Sequence, residues 1–185
     1  LQEAKGYSLT EAGSILGVNT IAGIAGCVAY GFVSDNLFGA RRPPVTLIYG
    51  ILEVLSLFVI FLSPPGHPFL LTAAFIVYGF TLSGLLAVLG GLFAVDIVPK
   101  SAAGAAIGLT GVVSYLFAAG QEYISGYLIH HGATATKAIN LAHQAATTQT
   151  TVQHYDFTKP IIFWIGSSIL SLILATSLWR VRIRE

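Results

Sequence analysis

The chain has 185 residues, of which 55% are hydrophobic and only 9% are charged, and its net charge is +1. Soluble domains carry roughly 25% charged residues, and a domain of this size cannot bury so much apolar surface. The composition therefore excludes a soluble globular protein, and the scattered basic residues give no nucleic-acid footprint. Cys27 is the only cysteine, which excludes an intramolecular disulfide and a multi-cysteine metal site.

Five apolar stretches are long enough to be membrane-spanning helices, since a helix needs about 20 mainly apolar residues to cross a bilayer. We therefore predict an all-α membrane protein with five transmembrane helices. The predicted spans are about 13–33, 45–62, 69–95, 102–129 and 160–179. Ser8 and Glu11 have the spacing of a capping box, which predicts a helix start before the first span. Pro160 is suited to the first turn of the fifth.

The connections between these spans differ in length. Residues 63–68 and 96–101 predict tight polar turns, and residues 34–44 predict a charged loop. The only long connection, about 131–158, contains no apolar span, and we expect it to be an extracytoplasmic insertion. A short helix over 137–146 is compatible with its alanine content.

The distribution of basic residues predicts the orientation, because cytoplasmic loops are enriched in Lys and Arg. Alternating spans place six basic residues on one side and three on the other: Arg41, Arg42, Lys100, Arg180, Arg182 and Arg184 against Lys5, Lys137 and Lys159. We therefore predict a multi-pass protein of the cell (inner) membrane with a cytoplasmic C-terminus. Four aromatic residues near helix ends have the placement of interfacial anchors: Trp164, Trp179, Tyr123 and Tyr127.

Ionisable residues inside a membrane are costly and are therefore functional candidates. Only Glu53 and Glu122 lie at depth, and every Lys and Arg lies at a span end or in a loop. For Glu53, a functional role and a structural one both remain open. Tyr78 in the third span is a further polar candidate for a cavity.

The fourth span carries two polar or small-residue stripes at helical spacing. The first is Gly104, Gly108, Gly111, Tyr115, Ala118 and Glu122, and the second is Thr110, Ser114, Gln121 and Ser125. Glycines allow a neighbouring helix to approach closely, and we predict that these three pack against one. For Gln121 and Glu122, a cavity-facing role and a buried structural hydrogen bond are both open. The candidates for a polar cavity are thus Tyr115, Glu122, Gln121, Thr110, Ser114 and Tyr78.

The sequence contains no recognisable catalytic constellation. Its five histidines lie in or beside predicted loops, and none has the spacing of a zinc site. Nucleophile-elbow, P-loop and dinucleotide fingerprints are absent. We therefore predict that the protein is not an enzyme and needs no metal or cofactor.

The loop after the first span carries a family signature. Gly31, Asp35, Gly39, Arg41 and Arg42 form a G-x-x-x-D…G-x-R-R pattern that resembles the loop between the second and third helices of each half of the major facilitator superfamily. The longer spacing between the aspartate and the arginines resembles the organophosphate–phosphate antiporters. We expect Asp35 to hold a cytoplasmic gate by facing the positive N-terminus of a helix in the other half.

The stretch from Asp96 to Leu116 strengthens this resemblance. It includes Pro99 and Lys100 and is similar, over about twenty positions, to the segment joining the tenth and eleventh helices of those antiporters. The resemblance places the five spans as helices 8–12 of a twelve-helix fold. It implies two pseudo-symmetric halves that rock around a mid-membrane site.

The resemblance also implies a substrate site. Tyr115 matches a cavity tyrosine of the glycerol-phosphate type, and the two phosphate-binding arginines lie on helices upstream of this chain. The hexose-phosphate type carries charged residues at the positions of Ile107 and Thr110, and an acidic residue is expected near Thr20, whereas Glu122 is an addition. These differences leave the substrate open.

We therefore expect an antiporter that exchanges a phosphorylated metabolite, such as glycerol phosphate or a sugar phosphate, for inorganic phosphate. The alternatives are a transporter-like sugar-phosphate sensor and an inactive transporter fragment. The sequence has no methionine and begins in a polar stretch, which we interpret as a piece of a longer protein. The expected partners are the lipid bilayer, the missing N-terminal half, the small anionic substrate and phosphate.

Overall fold

The computed structural model describes residues 1–39, 41–64, 66–93, 95, 98–144 and 157–177. Within these residues, five long helices follow one another, and each is long and apolar enough to cross a membrane. They are α1 (Leu9–Leu37), α2 (Arg42–Leu62), α3 (Pro68–Ala87), α4 (Ala103–Gln144) and α5 (Thr158–Ser177). No strand occurs in the described part of the chain. The predicted all-α class and five spans are confirmed.

The helix starts follow local sequence signals. The Ser8 amide donates to a Glu11 carboxylate oxygen at 2.9 Å and the Glu11 amide donates to the Ser8 hydroxyl at 3.3 Å, so the capping box is present. Because of this cap, α1 begins four residues before the predicted start at 13. Pro68 begins α3, and Pro160 lies in the first turn of α5, where a missing amide proton costs no helical hydrogen bond.

The third span is not one uniform helix. Regular α-helix ends at Ala87, and a π-helical segment, Val88–Leu92, follows it. The prediction of a single helix over 69–95 missed this change. Gly90 and Gly91 lie inside the segment, and glycine holds the α conformation less firmly than other residues. A short 3₁₀ turn, Lys100–Ala102, then leads into α4.

The fourth helix is longer than predicted. It continues to Gln144, although its end was expected near 129 and a loop was expected over 131–158. Helix-favouring alanines and the absence of Gly or Pro after Gly132 explain the extension. His130 and His131 therefore lie in a helix and not beside a loop. The rest of the predicted insertion, 145–156, and the basic C-terminus with Trp179 lie outside the described residues.

Helices α1 and α3 cross at glycines that leave no room for side chains. A Cβ placed on Gly26 would collide with the backbone carbonyl of Phe80, and one on Gly79 would collide with Asn19. The Cys27 thiol donates to the Ser83 carbonyl oxygen across the same crossing at 3.1 Å. Close backbone approach of this kind is a usual way for helices to associate in lipid.

Aromatic rings fill the space between this crossing and α2. Tyr30 and Tyr49 meet edge to face with ring centroids 5.0 Å apart, and Tyr49 stacks on Phe80 at 5.6 Å. The buried Tyr30 hydroxyl lies 2.7 Å from the Thr46 hydroxyl and donates to the Arg42 carbonyl oxygen at 3.1 Å. These contacts, together with the packing of α5 against α2, make α1, α2, α3 and α5 the packed part of the molecule.

A short helical turn, Gln2–Lys5, ties the N-terminal segment to the opposite end of this packed part. The Lys5 ammonium donates to the Ser63 carbonyl oxygen at 2.6 Å and to the Ser63 hydroxyl at 2.9 Å. Burial lowers the pKa of the Lys5 ammonium. Leu1 and Tyr7 pack beside it on a buried apolar cluster that includes Ile15.

Candidate functional site

Helix α4 contacts the rest of the described chain mainly in two places along its length. Its start rests against the π-helical segment and the 3₁₀ turn, and a later part rests against α5. Between residues 103 and 131, the partly or fully buried residues of α4 form two groups, one for each contact region. The first is Ala103, Ala106, Thr110 and Gly111, and the second is Ser125, Leu128 and Ile129. Between them, every side chain from 112 to 124 is exposed. The middle of α4 is thus an uncovered face within a membrane-spanning helix.

The first stripe of α4 forms a shallow apolar depression on this uncovered part. Gly108, Gly111 and Tyr115 line it, and the Tyr115 side chain is 80% exposed. A Cβ added at Gly104, Gly108 or Gly111 would meet nothing within 4 Å among the described residues. The predicted packing of these glycines therefore has no partner in the described chain and stays a prediction.

The residues at the ends of the second stripe differ from those in its middle in burial and hydrogen bonding. Thr110 donates its hydroxyl proton to the Ala106 carbonyl oxygen at 2.9 Å, so it satisfies its own helix. Ser114 and Gln121 are exposed, as is Glu122 next to them. The structure brings these candidates together on one helix with Tyr115, because they share α4. It does not enclose them, since no described residue covers that side.

Trp164 of α5 makes a hydrogen bond to the second stripe of α4. Its indole nitrogen donates to the Ser125 hydroxyl at 2.8 Å, and its ring stacks on Phe61 of α2 with centroids 5.7 Å apart. Sequence reasoning placed Trp164 at the membrane interface and Ser125 in the polar stripe, but it did not pair them. A buried tryptophan needs a hydrogen-bond acceptor for its N–H. A serine hydroxyl on a neighbouring helix was therefore the sequence feature that could have suggested a partner for Trp164.

Tyr78 lies elsewhere in the molecule. It is half-buried on α3, meets Phe75 edge to face at 6.5 Å and lies in electrostatic range of Glu53 on α2. It packs on the cluster formed by α1, α2 and α3 near Ile15. Tyr78 therefore lies apart from the α4 candidates.

The signature loop is built as a compact corner between α1 and α2. The Arg42 guanidinium and the Asp35 carboxylate are 3.7 Å apart, and the Arg42 side chain is 14% exposed against 60% for Asp35. Gly39 has φ of 56°, a left-handed conformation that glycine adopts without strain, and the Arg41 amide donates to the Phe38 carbonyl oxygen at 3.2 Å. Gly31 lies in α1 with open space around it. The exposed face of Asp35 remains available to another segment.

The second signature loop ends in the 3₁₀ turn before α4. Pro99 precedes this turn, and its carbonyl oxygen accepts from the Ala102 amide at 2.8 Å. Lys100 is exposed at the first position of the turn. The loop therefore places a cation at the start of α4, well away from the membrane interior.

Basic residues are absent from the apolar interior of the described spans, and Lys137 of α4 lies beyond its apolar span, which ends at His131. Arg41 and Arg42 lie at the start of α2, Lys159 lies at the start of α5, and Lys5 precedes α1. Among the residues that the structure describes, no group of three metal-ligating side chains comes together. His131 instead packs against Tyr127 with ring centroids 3.9 Å apart.

Comparison with known proteins identifies this arrangement. A family model described as Major Facilitator Superfamily matches residues 1–120. The chain belongs to the major facilitator superfamily. Transport across a membrane is what this superfamily does, and the five apolar helices fit a multi-pass member of it.

Three relatives show which branch of the superfamily is similar. The glycerol-3-phosphate transporter of Bacillus subtilis (strain 168) is 36% identical over 116 residues, which are 63% of this chain and 26% of the relative. The membrane sensor protein UhpC of Salmonella typhimurium is 31% identical over the same shares. The glycerol-3-phosphate transporter of Haemophilus influenzae is 24% identical over 188 aligned positions, 94% of this chain and 34% of the relative. The chain thus spans about a quarter to a third of their length, and no solved structure matches it significantly.

Proposed function

We propose that the complete protein is a secondary transporter that exchanges a phosphorylated metabolite, such as glycerol phosphate or a sugar phosphate, for inorganic phosphate. The uncovered polar middle of α4 carries the proposal, because polar groups in a membrane-spanning helix normally face a cavity or a partner. Two relatives that are named as glycerol-3-phosphate transporters support the substrate class.

In this proposal α4 supplies neutral and acidic groups to the substrate cavity, and the cationic groups come from outside the chain. A phosphate dianion in the membrane interior needs positive partners, and no Lys or Arg lies in the apolar interior of a described span. Tyr115 donates its hydroxyl proton to a phosphate oxygen, and Gln121 donates through its side-chain amide. Glu122 accepts a hydrogen bond from a substrate hydroxyl group or binds a proton. Two arginines on the remaining helices complete the site.

The proposed mechanism is alternating access between two halves. The five helices belong to the second half, at the positions of helices 8–12, and the missing N-terminal half covers α4. Asp35 contributes to the cytoplasmic gate, because its carboxylate is mostly exposed at the corner between α1 and α2. There it meets the positive N-terminus of a helix of the other half when the gate is closed.

The proposed location is the cell (inner) membrane, with the C-terminus in the cytoplasm. The corner with Arg41 and Arg42 lies on the cytoplasmic side, together with Lys100, and the turn near His67 lies outside. The partners in this setting are the lipid bilayer, the missing N-terminal half and the anionic substrates. No cofactor takes part.

The test uses the full-length protein in proteoliposomes loaded with inorganic phosphate. We expect uptake of labelled glycerol 3-phosphate that stops when internal phosphate is omitted. Tyr115→Phe and Glu122→Gln should each lower uptake about tenfold, the typical loss for one hydrogen bond to a charged group. Leu109→Val is the matched control and should retain uptake, because Leu109 is exposed and lies about 120° or more around the helix from Tyr115, Gln121 and Glu122. Unchanged uptake in both site variants would exclude the α4 site.

A sensor is the second candidate, because one relative is named a membrane sensor protein and is 31% identical to this chain. A sensor binds the phosphate ester without moving it across the membrane. Saturable binding of labelled glycerol 3-phosphate or glucose 6-phosphate by the purified protein, together with no uptake in phosphate-loaded vesicles, would favour the sensor. Absence of both binding and uptake would favour an inactive transporter fragment.

A further inference from the structure

Trp164 joins three helices at one point. From α5, its indole N–H donates to Ser125 of α4 at 2.8 Å, and its ring lies nearly parallel to Phe61 of α2, at an angle of 26°. Ser125 is 7% exposed, whereas every α4 residue from 112 to 124 is exposed. The bond therefore lies directly beside the uncovered middle of α4.

The hydrogen bond between Trp164 and Ser125 has a consequence for the rotation of α4. The next partly buried side chains of α4 after Ser125 are Leu128 and Ile129, which are apolar, and apolar surfaces tolerate sliding and turning. A hydrogen bond weakens steeply as its angle and distance change. The indole of Trp164 is itself held by Phe61, so it offers a fixed donor to Ser125. The rotation of α4 about its own axis is thereby restricted.

The rotation of α4 about its own axis determines which of its side chains face a given neighbouring helix or cavity. At 3.6 residues per turn, Tyr115 lies about 80° to one side of Ser125 and Phe117 about 80° to the other. Glu122 lies about 60° from Ser125 on the side of Tyr115, and Gln121 lies about 40° from Ser125 on the side of Phe117. A turn of α4 by one residue would carry Phe117 towards the place that Tyr115 occupies.

We propose that Trp164 is a positioning residue that fixes, through its hydrogen bond to Ser125, the rotation of α4 and with it the side chains that face the substrate pathway. The inference rests on the proposed function only in naming that pathway. Trp164 itself does not touch the substrate. It acts through Ser125 on the orientation of Tyr115, Gln121 and Glu122.

The test measures the rotation of α4 without measuring transport. Single cysteines are placed in the full-length protein at Tyr115→Cys or Phe117→Cys, with Cys27→Ser and all other cysteines replaced. A membrane-impermeant maleimide then labels them in native membranes, and the ratio of the two labelling rates reports the rotation. We expect Trp164→Phe, which keeps the ring on Phe61, and Ser125→Ala to change this ratio about fivefold, close to the effect of one hydrogen bond within lipid.

Matched variants separate this role from loose packing. Ser125→Thr keeps the hydroxyl and should retain the ratio, as should Thr176→Ala, which removes a bond within α5 to the Ile173 carbonyl oxygen. An unchanged ratio in Trp164→Phe or in Ser125→Ala, or a parallel rise at both reporter positions, would overturn the proposal. Lack of phosphate-ester uptake by the parent protein would count against the proposed function alone, because the labelling ratio does not depend on it.

Discussion

Gly26 is the residue at which α1 and α3 approach most closely. A methyl group at this position would overlap the Phe80 carbonyl, which belongs to a helix backbone and cannot move aside easily. Gly26→Ala should therefore destabilise the protein by about 1–3 kcal/mol, the usual cost of overpacking. Gly17→Ala, in the same helix with open space at its Cβ, is the matched control and should be neutral or slightly stabilising. Thermal unfolding of the purified protein in detergent compares the two.

Equal melting temperatures for the two variants would contradict the close crossing. The composition of α1 alone does not single out Gly26, since this helix has several glycines and nothing in the sequence says which of them meets α3. That choice depends on how α1 and α3 are rotated relative to each other. Within the described chain, glycines of α1 and α3 and Gly50 of α2 have close neighbours, whereas the packing of Gly104 and Gly108 stays a prediction.

The π-helical segment at Val88–Leu92 is the element in which α3 departs from regular geometry. Gly90 and Gly91 both have open space where a Cβ would lie, so alanine causes no collision there. Gly90→Ala or Gly91→Ala should raise stability by up to about 1 kcal/mol, because alanine favours helix over glycine. If the segment flexes during transport, the same changes should slow uptake. Melting temperature and initial uptake rate are the two measurements.

The matched control for this element is again Gly17→Ala, which should give the stability gain without slower uptake. A fall in melting temperature for Gly90→Ala would show that the segment needs glycine for close contact with another part of the protein. Slower uptake in both π-segment variants, with normal uptake in the control, would show that transport depends on the flexibility of this segment.

The number and order of the helices were predictable because membrane spans depend on the summed hydropathy of about 20 residues. The ends of the helices were less predictable. The extension of α4 to Gln144 was missed since polar residues such as Thr134 and Lys137 lower hydropathy without opposing helix formation strongly. The candidate residues on α4 share a helix as predicted, whereas the bond between Trp164 and Ser125 was not predicted, because it joins residues far apart in sequence.

For the whole molecule, the uncovered glycine stripe of α4 predicts contact with a helix of the remaining protein. Gly108→Val would fill the shallow depression and keep such a helix at a distance. We expect this variant to destabilise the full-length protein by about 1–3 kcal/mol. Gly120→Val, which lies on another side of α4 and has equally open space, carries the same change in helix propensity and serves as control. Equal melting temperatures would contradict an interface at Gly108.

Orientation in the membrane also belongs to the whole molecule. His67 and Asn36 are exposed near opposite ends of α2. In intact cells, His67→Cys should react with an impermeant maleimide, whereas Asn36→Cys should react only after permeabilisation, since the basic corner is expected in the cytoplasm. Cys27→Ser provides the unreactive background. The reverse pattern would invert the predicted orientation.

The unbroken length of α4 gives the protein a mechanical lever. At a rise of 1.5 Å per residue its 42 residues span about 60 Å, roughly twice the hydrocarbon thickness of a bilayer. We expect the part of α4 beyond its apolar span, which ends at His131, to magnify small motions within the span: a tilt of about 10° displaces a tip about 30 Å from the pivot by about 5 Å. Distance probes attached near Gln144 would therefore report movements of the membrane-embedded part that are too small to resolve at Tyr115 itself.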